Sequence, residues 1–198
     1  MSIMFDANAD RILAAALMLF GRHGFQRTSM ADIAGEAGIA RATLYLRFTN
    51  KRALFEALAA SLVDRALAEA EAAWNADLDL AQGIEAVVLA KEMNFFRLIN
   101  TTPHGAELLA IDADLTARHV ARLDEGYAGL LERCGQDAER RGADLDAFGG
   151  PAGFAQFLAT AGAGLKHELH SEDAYREAVH RLARVTARAT IWKKETEG

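Results

Sequence analysis

The sequence predicts an all-α protein of about nine helices. Only two of its 198 residues are proline, Pro103 and Pro151, while the strong helix formers Ala, Leu, Glu and Arg are abundant. Apolar residues recur three and four apart along most of the chain, the spacing of one helical face. The single run with strand-like alternation, Thr43 to Phe48, has no second strand to pair with, and a lone strand is not stable.

Each helix can be placed from its stripe and its ends. Asn8 caps the first, whose apolar face is Ile12, Ala15, Ala16, Leu19 and Phe20; Gly24 stops it. The second starts at Ser29, with Asp32 three residues on in a capping-box arrangement, and buries Met30, Ile33, Ala34 and Ala37. Gly38 ends it after about two turns. The third runs from about Arg41 to Arg47, with Leu44 and Phe48 four apart on its inner face.

Thr49 or Asn50 caps a long fourth helix reaching about Asn75, with Leu54, Phe55, Leu58, Leu62 and Leu67 inward. A fifth, about Leu80 to Asn100, carries Val87, Val88, Phe95, Phe96 and Ile99. Pro103 opens a short helix to about Ile111, because proline suits a first helical turn. The helix from Asp114 to about Arg141 shows Val120, Leu123, Tyr127, Leu130, Leu131 and Cys134. Two more follow, about Pro151 to His170 and Glu172 to Lys194.

Composition narrows the function classes. The chain is 51% hydrophobic and 25% charged, ordinary for a globular protein. Its one cysteine, Cys134, forms no internal disulfide and no Cys cluster for zinc, which fits a reducing, cytoplasmic setting. The N-terminal segment has no cationic region of a signal peptide, and the longest apolar run, Ile12 to Phe20, is too short to span a bilayer. No nucleophile–histidine pattern, phosphate loop or dinucleotide fingerprint occurs, so no enzyme activity and no cofactor are expected. The net charge of −6 is uneven: residues 1–55 hold seven bases and four acids, a local excess of positive charge. That points to an anionic partner for the N-terminal quarter.

A short helix, a tight turn containing Gly38 and a second short helix make a helix–turn–helix, which lays its second helix in a DNA major groove. The residues suit that placement. Arg41 can donate two bonds to guanine or pair with a phosphate, and Thr43 can bond a base edge or touch a thymine methyl. Ala42 is small enough to let the helix sit close, the Tyr45 hydroxyl can reach a phosphate, and Leu46 offers an apolar contact. Lys51, at the start of the next helix, and Thr28 and Ser29, at the start of the second, are candidate phosphate contacts. Arg47 adds charge at the same surface.

Residues 8–58 resemble the DNA-binding domain of the TetR (tetracycline-repressor-like) family of bacterial regulators. The resemblance rests on Thr28-Ser29, Ile33-Ala34, Ala37-Gly38, Ile39, Thr43-Leu44-Tyr45, Phe48, Lys51 and Leu54-Phe55 at the family's offsets. It covers about a quarter of the chain. Three features depart from it. Ala40 stands where the family usually has a capping serine, Leu46 and Arg47 replace frequent aromatic or His residues, and Met1 to Ala7 carry no bases for a minor-groove arm.

The resemblance implies a helix–turn–helix domain at 1–50 and a helical effector-binding and dimerisation domain at 51–198. It implies a repressor that binds a near-palindromic double-stranded DNA operator as a homodimer and is released by a small, largely apolar ligand. In the last two helices Phe154, Leu158, Ala161, Leu165, Leu182, Val185, Ala189 and Trp192 are the candidate dimer contacts. The second of these stripes steps 4 and 3 alternately, as helix-packing seams do. Candidate pocket residues are Leu62, Phe95, Phe96, Ile99 and His104, with His119, Leu123, Tyr127 and Phe157.

Two other classes compete. His167 and His170 stand three apart beside Glu168 and Glu172, a spacing that a helical metal enzyme would use, although such a site needs a third ligand. A purely structural helical dimer would show no sequence-specific DNA binding.

Overall fold

A computed structural model describes residues 7–75, 77–108, 113–169 and 171–190. Among them are nine α-helices and no strand. These are α1 (Ala7–His23), α2 (Met30–Glu36), α3 (Arg41–Arg47), α4 (Lys51–Ala73) and α5 (Leu80–Thr101), then α6 (Gly105–Leu108), α7 (Ala113–Arg140), α8 (Gly150–Glu168) and α9 (Glu172–Ala189). A short 3-10 turn, Asp146–Phe148, precedes α8. No described helix is long and apolar enough to cross a membrane.

The caps explain the helix starts. Asn50 Oδ1 accepts from Ala53 N at 2.8 Å and so begins α4. Asp79 and Gln82 exchange bonds of 2.8 and 3.1 Å in a capping box that begins α5. Ser171 accepts from Ala174 N to begin α9. Pro103 does not open a helix. It lies in a turn, and α6 starts only at Gly105, where Gly105 N donates to Thr102 O.

The chain divides into two compact units. The first comprises residues 1–64 and 97–120, the second 65–96 and 121–198. The first is therefore larger than the 1–50 segment outlined by the helix–turn–helix pattern. Its core holds Ile12, Ala16, Phe20, Ile33, Leu44 and Leu54, all at or near zero exposure. Phe20, Phe25 and Phe55 meet edge-on or tilted, with ring centroids 5.2–6.1 Å apart.

The second unit packs parts of α4, α5 and α7 with α8 and α9. Its core includes Ile84, Val87, Val88, Phe96, Leu131, Phe154, Leu158, Tyr175 and Val179. Along α4, Leu54, Phe55 and Leu58 are buried as expected, but further on the buried positions are Val63, Ala66 and Ala70, whereas Leu62 and Leu67 are only partly covered. Alanine carries too little apolar surface to stand out in a stripe, so Leu62 and Leu67 misplace the inner face of the C-terminal half of α4. Val120, expected inward, is 45% exposed.

Candidate DNA-binding site

The turn between α2 and α3 is built from backbone bonds and one glycine. Gly38 N donates to Gly35 O at 3.1 Å and Ile39 N to Ala34 O at 3.0 Å, the paired bonds of a Schellman ending. That ending needs a left-handed residue, and Gly38 has φ +64°. A side chain there would also meet Arg11 Nη2, 3.0 Å from the position of its Cβ. Arg11 is itself part of the turn, donating from α1 to Ala37 O at 2.6 Å. The sequence offered no signal for that role, because the bond joins residues 26 apart.

Leu44 anchors α3 at zero exposure, and Phe48 N closes its C-terminus on Leu44 O at 2.9 Å. The opposite face is open. Arg41, Ala42, Tyr45, Leu46 and Arg47 are exposed, Tyr45 by 51% and Leu46 by 88%, and Thr43 is half-buried. Ala40 provides no side-chain cap. Ala40→Ser is accordingly expected to stabilise the protein by about 0.5–2 kcal/mol, seen as a higher urea midpoint.

Three candidate phosphate contacts turn out to hold the fold together. Thr28 is 3% exposed, and its hydroxyl lies 2.9 Å from Gly24 O and 3.3 Å from Leu19 O, tying α2 to the end of α1. Lys51 Nζ donates to the carbonyls of Phe25, Thr28 and Gln26 at 2.6, 2.8 and 3.3 Å, and sits 4.4 Å from the Phe25 ring centroid. All three of its N–H groups are thus engaged by the α1–α2 loop, and burial lowers its pKa. Ser29 caps α2: Ser29 Oγ accepts from Asp32 N at 3.1 Å and donates to Asp32 Oδ2 at 2.7 Å. The Ser29 hydroxyl and backbone bonds hold the Asp32 carboxyl below its ordinary value. Residue type and position alone could not separate a lysine aimed at phosphate from one folded onto a loop.

In the second unit the expected dimer residues divide between inside and outside. Phe154 and Leu158 are at zero exposure in the protomer's own core, so they are out of reach of a second copy. Ala161, Leu165, Leu182 and Ala189 are half-buried and Val185 is 66% exposed. Ala161, Gly164, Leu165, Ala178, Leu182 and Val185 line one shallow apolar groove between α8 and α9, with Arg181 beside them. The inner face of α9 is a different stripe, Tyr175, Val179, Ala183 and Thr186. Trp192 and His170 lie outside the described residues, as does the side chain of His167.

The expected pocket residues are also divided. Leu62, Ile99, His104 and His119 belong to the first unit and are half-buried. Phe95, Phe96, Leu123, Tyr127 and Phe157 belong to the second. Of these, Leu123, Tyr127 and Phe96 are buried, Phe95 is half-buried, and Phe157 is 40% exposed and tilted against Phe148.

Beside Tyr127 lies a charged group that helical periodicity concealed. Lys91 and Glu92 are 5% and 1% exposed, and Lys91 Nζ donates to Glu92 Oε1 at 2.6 Å. Lys166 Nζ donates to the other carboxylate oxygen at 2.9 Å. Burial pushes the Glu92 carboxyl upward, but the two ammoniums and their hydrogen bonds outweigh it, leaving a net downward shift. Adjacent charges inside the apolar run from Ile84 to Phe96 were the available signal. Among the described residues no three His, Cys, Asp or Glu side chains converge on a metal position.

The family model for bacterial regulatory proteins of the tetR family matches residues 12–58. The HTH-type transcriptional repressor ComR of Escherichia coli (strain K12) is 43% identical over 63 residues, 32% of this chain and 30% of that protein. An uncharacterised HTH-type regulator of Bacillus subtilis (strain 168), YvdT, is 34% identical over 70 residues, 35% of this chain and 36% of that one. The match thus spans about a third of each of these relatives' length. The fold match is broader. A TetR-family regulator structure from Rhodococcus sp. has TM-score 0.68 at 17% identity, covering 92% of this chain and all of that one. The SmeT–triclosan complex has TM-score 0.63 at 20% identity, covering 93% and 90%; SmeT is a repressor from Stenotrophomonas maltophilia. Residues 12–58 thus form a helix–turn–helix segment of the type found in bacterial regulatory proteins of the tetR family, carried on an all-helical fold similar to that of solved regulators of that family.

Proposed function

We propose that the protein is a cytoplasmic repressor that binds a near-palindromic operator as a homodimer and leaves it on binding a small ligand. The observation that carries this reading is the outer face of α3. Arg41, Ala42, Tyr45 and Leu46 stand out on a helix fixed from behind by Leu44. Arg41 reads a base edge, Thr43 and Leu46 contact the groove, and the Tyr45 hydroxyl holds a phosphate. The similarity to a repressor within the matched segment supports the sign of regulation.

One recognition helix reads few base pairs, so specificity calls for two. The apolar groove between α8 and α9, with Val185 exposed, supports a second copy as the covering partner. The triclosan complex of SmeT, similar in fold, supports a small apolar ligand. Such a ligand would act by differential affinity for two arrangements of the dimer. Helix α4 is the natural link, since the boundary between the two units falls within it.

Selection from random duplexes tests the reading. It is expected to return inverted repeats with half-sites about one helical turn apart, bound more weakly as salt rises. Arg41→Ala is expected to relax base preference at one position per half-site, and Tyr45→Phe to weaken all sequences alike. Recovery of no repeat at all would remove the repressor reading and, with it, the homodimer on DNA.

A further inference from the structure

We infer that the interior of the second unit receives the carboxylate head of the effector, bound by the hydroxyls of Tyr127 and Tyr175 beside the Lys91–Glu92–Lys166 cluster. This rests on the ligand-controlled reading above and specifies the ligand's chemistry. Two independent observations meet at the same place.

The first is a charge imbalance. Two ammoniums face one carboxylate, and both oxygens of Glu92 are already taken, Oε1 by Lys91 and Oε2 by Lys166. Among the described residues one positive charge is left over, where the side chains of Lys91, Glu92 and Lys166 are only 7%, 2% and 23% exposed. A buried charge without a counter-charge is costly. A monoanion balances it, a neutral ligand leaves it standing, and a cation or a dianion creates a new imbalance.

The second is a pair of stranded donors. Tyr127 and Tyr175 are 3% and 0% exposed, and neither hydroxyl has a hydrogen-bond partner among the described residues. Buried hydroxyls are nearly always paired. Burial, reinforced by the charge of Glu92, raises both phenol pKa values, so each keeps its proton at neutral pH and can donate it. Lys91 Nζ lies 4.9 Å from the Tyr127 ring centroid, which brings the excess charge and a donor together.

The surroundings define the rest of the ligand. Phe96 stacks on Tyr175 at 5.2 Å, and Val88 and Leu158 are fully buried in the same core. A carboxylate on a compact apolar body matches such walls. The charge lies against an apolar, buried core, where electrostatic interactions are weakly screened, so recognition of the acid over its neutral analogue should be strong.

The test is calorimetric titration of the full-length protein without DNA, using acids and their primary amides in pairs. The pairs are octanoate and octanamide, decanoate and decanamide, benzoate and benzamide, and phenylacetate and phenylacetamide. At least one acid is expected to bind tenfold or more tighter than its amide, since hydrogen bonds to a charged group are roughly twice as strong as neutral ones. Tyr127→Phe and Tyr175→Phe should each weaken that acid by about tenfold, while leaving the unliganded protein at least as heat-stable as the parent. Equal binding of acids and amides overturns the inference. So does acid binding untouched by both phenylalanine variants, which would leave the hydroxyls to buried water alone. Binding of no acid by a preparation that does shift its operator also overturns it and spares the repressor reading; loss of operator binding alone does the reverse.

Discussion

Glu92→Gln is expected to lower the unfolding free energy by about 3–5 kcal/mol, the usual cost of removing one partner from a buried ion pair. Glutamine keeps the shape but not the charge. It leaves two ammoniums, Lys91 and Lys166, facing a neutral amide whose NH2 group can accept from neither. Water has little access to Lys91 and residue 92, whose side chains are 7% and 2% exposed, so it compensates the loss poorly there.

The same substitution should change the pH profile. Glu92 titrates below its ordinary value of 4.5 in the folded protein. A depressed carboxylate stabilises the fold above its unfolded pKa and loses that contribution as pH falls through the folded pKa. Wild-type stability should therefore decline on acidification below about pH 4.5, and Glu92→Gln should lack that part of the decline. Urea melts at neutral and acid pH measure both effects. A variant within 1 kcal/mol of the parent, with an unchanged pH profile, would show that the ion cluster contributes little.

Leu44→Ala is the second large effect. Leu44 is at zero exposure and is the one fully buried side chain of α3. Its removal should cost about 2–5 kcal/mol, the transfer term plus the cavity. Because α3 has only seven residues and no side-chain cap, it cannot hold its conformation alone. Operator binding should fall with stability. Leu46→Ala makes the contrast: at 88% exposure it should change stability by no more than about 0.5 kcal/mol while weakening operator binding. Thermal unfolding and gel shift on the two variants separate anchor from contact. Preserved binding in Leu44→Ala would contradict the anchoring role, and preserved binding in Leu46→Ala would remove Leu46 from the DNA surface.

Much of this could be read in the chain. Both ends of α2 follow from Ser29, Asp32 and Gly38, because caps and left-handed glycines are local devices. The outer face of α3 follows from Leu44 alone, since one buried residue orients a two-turn helix. The roles of Lys51 and Thr28 do not follow. Lys51 ends on carbonyls 23 to 26 residues away, and only the folded α1–α2 loop brings them within reach. Likewise α9 carries two apolar stripes: the leucine and valine stripe read as a candidate dimer contact is the outer one, and the inner one, Tyr175, Val179 and Ala183, drew no notice in the sequence. Tyr175, Val179 and Ala183 take the inner place because α5 and α8 offer Phe96 and its neighbours there.

The sequence by itself determined the all-helical class, the helix order and the helix–turn–helix, because periodicity, capping and turn chemistry act within a few residues. Tertiary structure alone decided which polar groups serve the fold and which remain available. Lys91, Glu92 and Lys166 are unremarkable in a row of letters, and 74 residues separate Glu92 from Lys166. Their significance comes from burial, which raises the cost of every uncompensated charge and unpaired hydroxyl, and burial is a property of the packed chain.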